Sequence, residues 1–140
     1  MGSSHSKQMS SRIQKNKMIG PRIWIPLDVL QSKAYSSLSI TAKALLIDLA
    51  GQLRSKFGEI KNNGDLTTAL KIMAIRGWKS DKTIRRAAKD LERVDLIVKT
   101  RQGQLPNKAN LYAVIWLDLN ESPKLDITKL GFPYKGYLNY

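Results

Sequence analysis

Residues 79–95 read KSDKTIRRAAKDLERVD, and their spacing decides how the rest of the chain is understood. At 3.6 residues per turn Ile84, Ala87, Ala88, Leu91 and Val94 share one face, the stripe that an amphipathic helix buries. Lys82, Arg86, Lys89 and Arg93 run down the opposite face at spacings of four, three and four, with Arg85 beside them. Like charges at such spacings cost an isolated helix about 0.2–0.5 kcal/mol per pair. Solvated faces normally mix signs, whereas Asp81, Asp90 and Glu92 sit toward the flanks and leave the centre cationic. The pattern predicts a face set against a polyanion, with an ordinary solvated face as the alternative.

Working outward, LTTALKIMAIRG (66–77) predicts a preceding helix, capped by Asp65 or Thr67, with Leu66, Leu70, Met73 and Ala74 turned inward and Gly77 closing it. Gly77-Trp78-Lys79-Ser80 is then a turn whose last residue caps the cationic helix. Helix, tight glycine-containing turn, helix is a helix-turn-helix pattern. Trp78 is expected to anchor that turn against the core rather than to touch a ligand. Leu96–Arg101 and Leu111–Trp116 read as two strands, and the intervening 102–108, with Gly103, Pro106 and Asn107, as a hairpin loop. Upstream, Ser39 caps the main core helix, whose Ala42, Leu45, Leu46, Leu49 and Leu53 fall on one face. Arg22–Ile25 alternates as a short strand would, and Leu27–Leu30 with Tyr35 and Leu38 predicts a short helix with its aliphatic side inward. Lys56–Asp65 reads as a loop ending in the Asn62-Asn63-Gly64-Asp65 turn.

The chain has 140 residues and a formal net charge of +13, with a sequence pI near 10.1. That length holds one domain with a core, and that charge attracts polyanions, of which nucleic acid is the commonest. More than half of the excess lies within residues 66–108. Without cysteine there is no disulfide, thiolate nucleophile or Cys-based zinc site. No phosphate loop or HExxH occurs, and the single histidine, His5, lies in MGSSHS, a leader of the kind added for expression. A non-enzymatic protein with no cofactor and no metal is expected. No apolar run reaches the ~20 residues that span a bilayer and no apolar signal region is visible, so the expected place is the cytoplasm, on the nucleoid when bound to DNA. Residues 1–21 read as a disordered tail, in which Arg12, Lys15 and Lys17 are a basic arm or simply a solubilising leader. Residues 22–119 form the domain. In the extension 120–140, Phe132, Tyr134, Tyr137 and Tyr140 pack on the same chain or on a partner.

Ser80-x-x-Thr83-Ile84-x-Arg86, Leu91-Glu92-x-x-x-Leu96-Ile97 and the hairpin with Tyr112 resemble a winged helix-turn-helix domain. The segments PLDVL, TAKALLIDLA, NNGDL, RGWKS, TRQG and LYAVIWL, in that order, are similar to small winged-helix proteins of prophages and plasmids. The resemblance covers about residues 22–119 and implies an α+β, mainly helical fold: a short N-terminal strand, three to four helices and a C-terminal hairpin wing. Asp95 stands where such domains commonly place a glycine, which leaves the end of the cationic helix less defined.

The same resemblance implies a double-stranded DNA-binding protein that regulates transcription or replication of a mobile element. Helix 80–94 would enter the major groove and wing 99–108 would rest on backbone or minor groove. Lys79, Asp81, Lys82, Arg85 and Arg86, with Ser80 and Thr83 beside them, are placed to reach base edges, and Lys89 and Arg93 to meet phosphate. Lys99, Arg101, Gln102, Gln104, Asn107 and Lys108 are the expected wing contacts. Two further partners stay open: a second copy of the chain, since one winged helix reads a short site, and an acidic protein or RNA complex on the same basic face.

Overall fold

The Ser39 hydroxyl accepts the Ala42 N–H at 3.1 Å and starts the central helix of the computed structural model, which describes residues 15–104 and 108–140. Two single-turn helices, α1 (Leu27–Leu30) and α2 (Lys33–Ser36), precede this helix, α3 (Ile40–Ala50). Ala42, Leu45, Leu46 and Leu49 are fully buried, as their shared face requires, and Leu53 is buried just past the helix end. At about 1.5–3 kcal/mol per large aliphatic side chain, this stripe is a main source of stability. The inward side of α1 and α2 is narrower than the aliphatic pattern predicts: Val29, Ala34 and Leu38 are buried, whereas Leu27 and Leu30 are exposed.

After α3 the chain forms an antiparallel hairpin, β1 (Ser55–Lys56) and β2 (Glu59–Ile60), within the segment read as a loop. Its turn, Phe57-Gly58, has positive φ at both residues, the conformation that fits a two-residue hairpin to the strand twist. A second, three-stranded antiparallel sheet has the order β3-β5-β4, from β3 (Leu66–Thr67), β4 (Ile97–Arg101) and β5 (Leu111–Val114).

Two sequence expectations are corrected by this sheet. Arg22–Ile25 is not a strand: it pairs with neither sheet, and the Trp24 carbonyl accepts the Trp116 indole N–H at 3.1 Å instead. Leu66 and Thr67 are strand rather than the start of a helix. The cause is Gln52, whose side chain accepts the Thr67 N–H and donates to the Thr67 carbonyl, both at 2.9 Å, holding that residue extended. The helix begins only at α4 (Leu70–Met73) and tightens into a 3-10 turn at Ala74–Arg76. Met73 is buried and Leu70 partly so, but Ala74 is exposed rather than inward.

Gly77 has φ +94°, the left-handed conformation that lets the chain reverse there. Trp78 anchors the turn, its indole N–H donating to Asp48 of α3 at 2.7 Å. The Ser80 hydroxyl then caps α5 (Asp81–Arg93) by accepting the Thr83 N–H at 3.3 Å. Ile84, Ala87, Ala88, Leu91 and Val94 are buried, and α5 lies along α3. Asp95 leaves the helix at φ +56°, adopting the left-handed position usually given to glycine.

Residues 120–140 pack back on the same core. Phe132 and Tyr137 are buried, and the Tyr137 hydroxyl donates to Asp28 at 2.8 Å. Tyr134 and Tyr140 stay about half exposed. The Tyr137 hydroxyl is pushed above the usual phenol range by burial and by the Asp28 carboxylate that accepts its proton. Among the described residues no helix is long and apolar enough to cross a membrane.

Candidate nucleic-acid interface

The buried stripe of α5 fixes what its outer face presents. Lys82, Arg86 and Lys89 are exposed, and none makes an ion pair with the described residues. The two arginines that flank this row are engaged. Arg85 pairs with Asp81 one turn earlier. Arg93 holds Asp90 at 2.7 Å and donates to the Tyr140 hydroxyl at 2.7 Å, so the C-terminus closes over the end of the cationic line. The line of four expected from spacing is thus a row of three unpaired cations with a neutralised end.

Asp90 ties this face to the rest of the domain by accepting the Ser39 N–H at 3.0 Å. Burial works to raise its carboxyl, but the Ser39 N–H and the Arg93 guanidinium outweigh it and hold the group below the usual carboxylate range. Beside it a cleft of about 340 Å³ is lined by Ser39, Thr41, Thr83, Arg86 and Asp90. Thr41 in this cleft was not foreseen, because helical spacing within α3 cannot say that its first turn faces α5.

Glu92 lies between helix and hairpin. Burial pushes its carboxyl above the usual range, with Lys99 and Lys89 pulling the other way. A folded-state value raised in this way favours folding below the unfolded value and loses that contribution as pH rises through the folded one. Glu92→Gln should therefore be more stable than the parent at pH 7 in urea unfolding, with the gain fading toward pH 4. A gain equal at both pH values would contradict this origin.

In the hairpin, the Lys99 ammonium donates to Gln102 at 3.1 Å. Gln104 and Lys108 are exposed and exchange two backbone hydrogen bonds of 2.7 and 2.9 Å across the loop. Gly103 is needed there because a Cβ would stand 2.4 Å from the Lys108 carbonyl oxygen. The Gln102 N–H donates to Asp126 at 2.9 Å. Arg101 departs from expectation: it is half-buried and spans the hairpin to the Ala109 carbonyl at 2.8 Å, bracing the loop rather than extending from it. Lys79 is exposed in the turn, and Ser80 and Thr83 stand at the exposed start of α5. Asn107 lies outside the described residues, as do His5 and Arg12 of the tail.

Sequence spacing also missed the residue that joins the two halves of the domain. Asn63 is fully buried; its side-chain oxygen accepts the Val114 N–H at 2.9 Å, and its amide nitrogen lies 3.0–3.1 Å from the carbonyls of Val114, Leu117 and Asp118. No group of three His, Cys, Asp or Glu residues among those described could hold a metal ion. No protein-family model, curated protein or solved structure matches the chain.

Proposed function

We propose that the protein is a winged helix-turn-helix domain that binds double-stranded DNA, with α5 in the major groove and the β4–β5 loop as a wing against backbone or minor groove. The observation that carries the reading is the row of Lys82, Arg86 and Lys89: exposed, unpaired, and set on a helix held rigidly by a capped turn. Three cations without carboxylate partners repel one another, and a phosphate backbone offsets that repulsion while releasing its counterions. The hairpin that follows carries Lys99, Gln104 and Lys108, so helix and wing share one sign, as a groove-straddling surface needs. Arg85 can reach a base edge only by exchanging Asp81 for it. Arg93 and Arg101 leave the contact set, the first closed by Asp90 and Tyr140 and the second bracing the hairpin.

The resemblance to prophage and plasmid proteins supports a role in transcription or replication of a mobile element. Because Phe132 and Tyr137 are already used within the chain, a two-fold dimer would have to form through other surface, such as exposed Leu27 and Leu30.

A competition assay tests the reading against the interaction-module alternative. Labelled duplex should be displaced by unlabelled duplex at concentrations about tenfold or more below single-stranded RNA of equal length. RNA competing as well as duplex, together with a protein partner retained after nuclease treatment, would assign the basic face to the other class.

A further inference from the structure

We propose that a cleft at the C-terminal end of α3 is a phosphate-binding site separate from the α5 face. The cleft has a volume of about 770 Å³, and the exposed side chains of Arg22, Arg54 and Arg76 line it together with Ile47 and Leu53. Its one carboxylate, Asp48, already accepts the Trp78 indole N–H. The chain has eight arginines and sixteen lysines, yet all three cations here are arginine. Guanidinium groups present paired N–H donors that match phosphate oxygens, which an ammonium does not.

General basicity does not account for the cleft. The neighbouring cleft of about 690 Å³ sets Arg22 and Lys129 against Glu59 and Asp118, and the cleft beside α5 sets Arg86 against Asp90. Only the arginine-lined one of these three carries a charge surplus. A helix C-terminus can recruit arginine to cap its carbonyls, and Arg54 does so, donating from Nη1 to Gly51 and Leu53 at 2.9 Å. That leaves Nη2 and Nε of Arg54 for a ligand. Arg76 makes no such bond; its Nη2 lies beside Gly51, 3.5 Å from where a Cβ there would stand, an ordinary contact distance. Arg22 is held by the Met18 carbonyl. The hydrogen bonds of Arg22 and Arg54 restrain those two guanidiniums before a ligand arrives, which lowers the cost of binding, while Arg76 is left free to engage the ligand.

The phosphoryl group could belong to a free nucleotide or to the backbone of nucleic acid, and the second source alone rests on the DNA-binding reading. The test uses the full chain at fixed ionic strength, with calorimetric titration of pyrophosphate and of ADP in one arm and affinity for a 30-base-pair duplex in the other. Arg76→Gln is the primary variant because Arg76 is exposed and caps nothing; Arg54→Gln with Arg76→Gln is the second, and thermal melting checks that both fold. Losing a charged hydrogen-bonding pair should weaken binding about tenfold or more in one arm. A loss confined to pyrophosphate or ADP assigns a free anion site, and a loss confined to duplex assigns a backbone contact. If Arg76→Gln folds and changes neither arm, or if the small anions are lost only when Lys82, Arg86 and Lys89 are replaced, the proposal is overturned. The small-anion arm contains no DNA, so it can fail or succeed independently of the α5 reading.

Discussion

Asn63→Ala should destabilise the domain by about 3–5 kcal/mol, since each buried polar group left without a partner costs about 1–3 kcal/mol. The side chain satisfies the Val114 N–H and approaches three carbonyls at the end of β5, so truncation orphans several groups at once. Its main chain adds to the joint: the Asn63 N–H donates to the Asn120 side chain at 2.8 Å and its carbonyl accepts the Asn120 N–H at 2.9 Å. Against a total stability of about 5–15 kcal/mol for a domain, such a loss removes a large share of the folded population's margin. Asn63→Asp should be comparably damaging, because a carboxylate cannot donate to those carbonyls. Urea unfolding at pH 7 reads both variants, and a loss under about 1 kcal/mol for Asn63→Ala would contradict the assigned role.

The second large effect is on binding. Replacing Lys82, Arg86 and Lys89 together by alanine should leave the fold intact, because all three are exposed and bonded to no described residue. Three charged contacts at about 1.5 kcal/mol or more each amount to roughly a thousandfold loss of duplex affinity. Arg93→Ala should behave differently: its guanidinium is committed to Asp90 and Tyr140, so that substitution loosens the C-terminal closure and lowers affinity little. Unimpaired binding by the folded triple variant would remove α5 from the interface.

The helices were the legible part of this chain. Capping serines at 39 and 80 and stripes at helical spacing mark α3 and α5, because local hydrogen bonds and one-sided burial set both their ends and their faces. Gly77 at positive φ was readable for the same local reason, and Trp78 was readable as a large apolar side chain at a turn, although its Asp48 partner on α3 was not. The segment around Leu66 was not, because its strand state depends on Gln52, fifteen residues away in sequence and invisible to any local pattern. Arg22–Ile25 failed in the opposite sense: its sequence alternates, but its described backbone joins neither sheet, and the Trp24 carbonyl accepts the Trp116 indole N–H instead of a strand partner. Asn63 looked like turn chemistry, and the turn is there, but its burial follows from the closure of residues 114–120 over it.

The candidate site divides along the same line. Spacing on one helix placed Lys82, Arg86 and Lys89 together on an exposed face. It could not show that Asp90 reaches back to Ser39, that Tyr140 returns to Arg93, or that Arg101 folds across its own hairpin, since each is a tertiary contact. The arginine-lined cleft was equally hidden, its three cations standing at 22, 54 and 76 with no shared period.

The salt dependence of duplex binding tests the central claim most directly. With about six phosphates neutralised, a plot of log affinity against log salt should have a slope near −5, and the Lys82, Arg86, Lys89 triple variant should lower its magnitude by about 1 for each of the three that meets phosphate. An affinity that barely responds to salt, or a triple variant that keeps the full slope, would contradict DNA binding through α5.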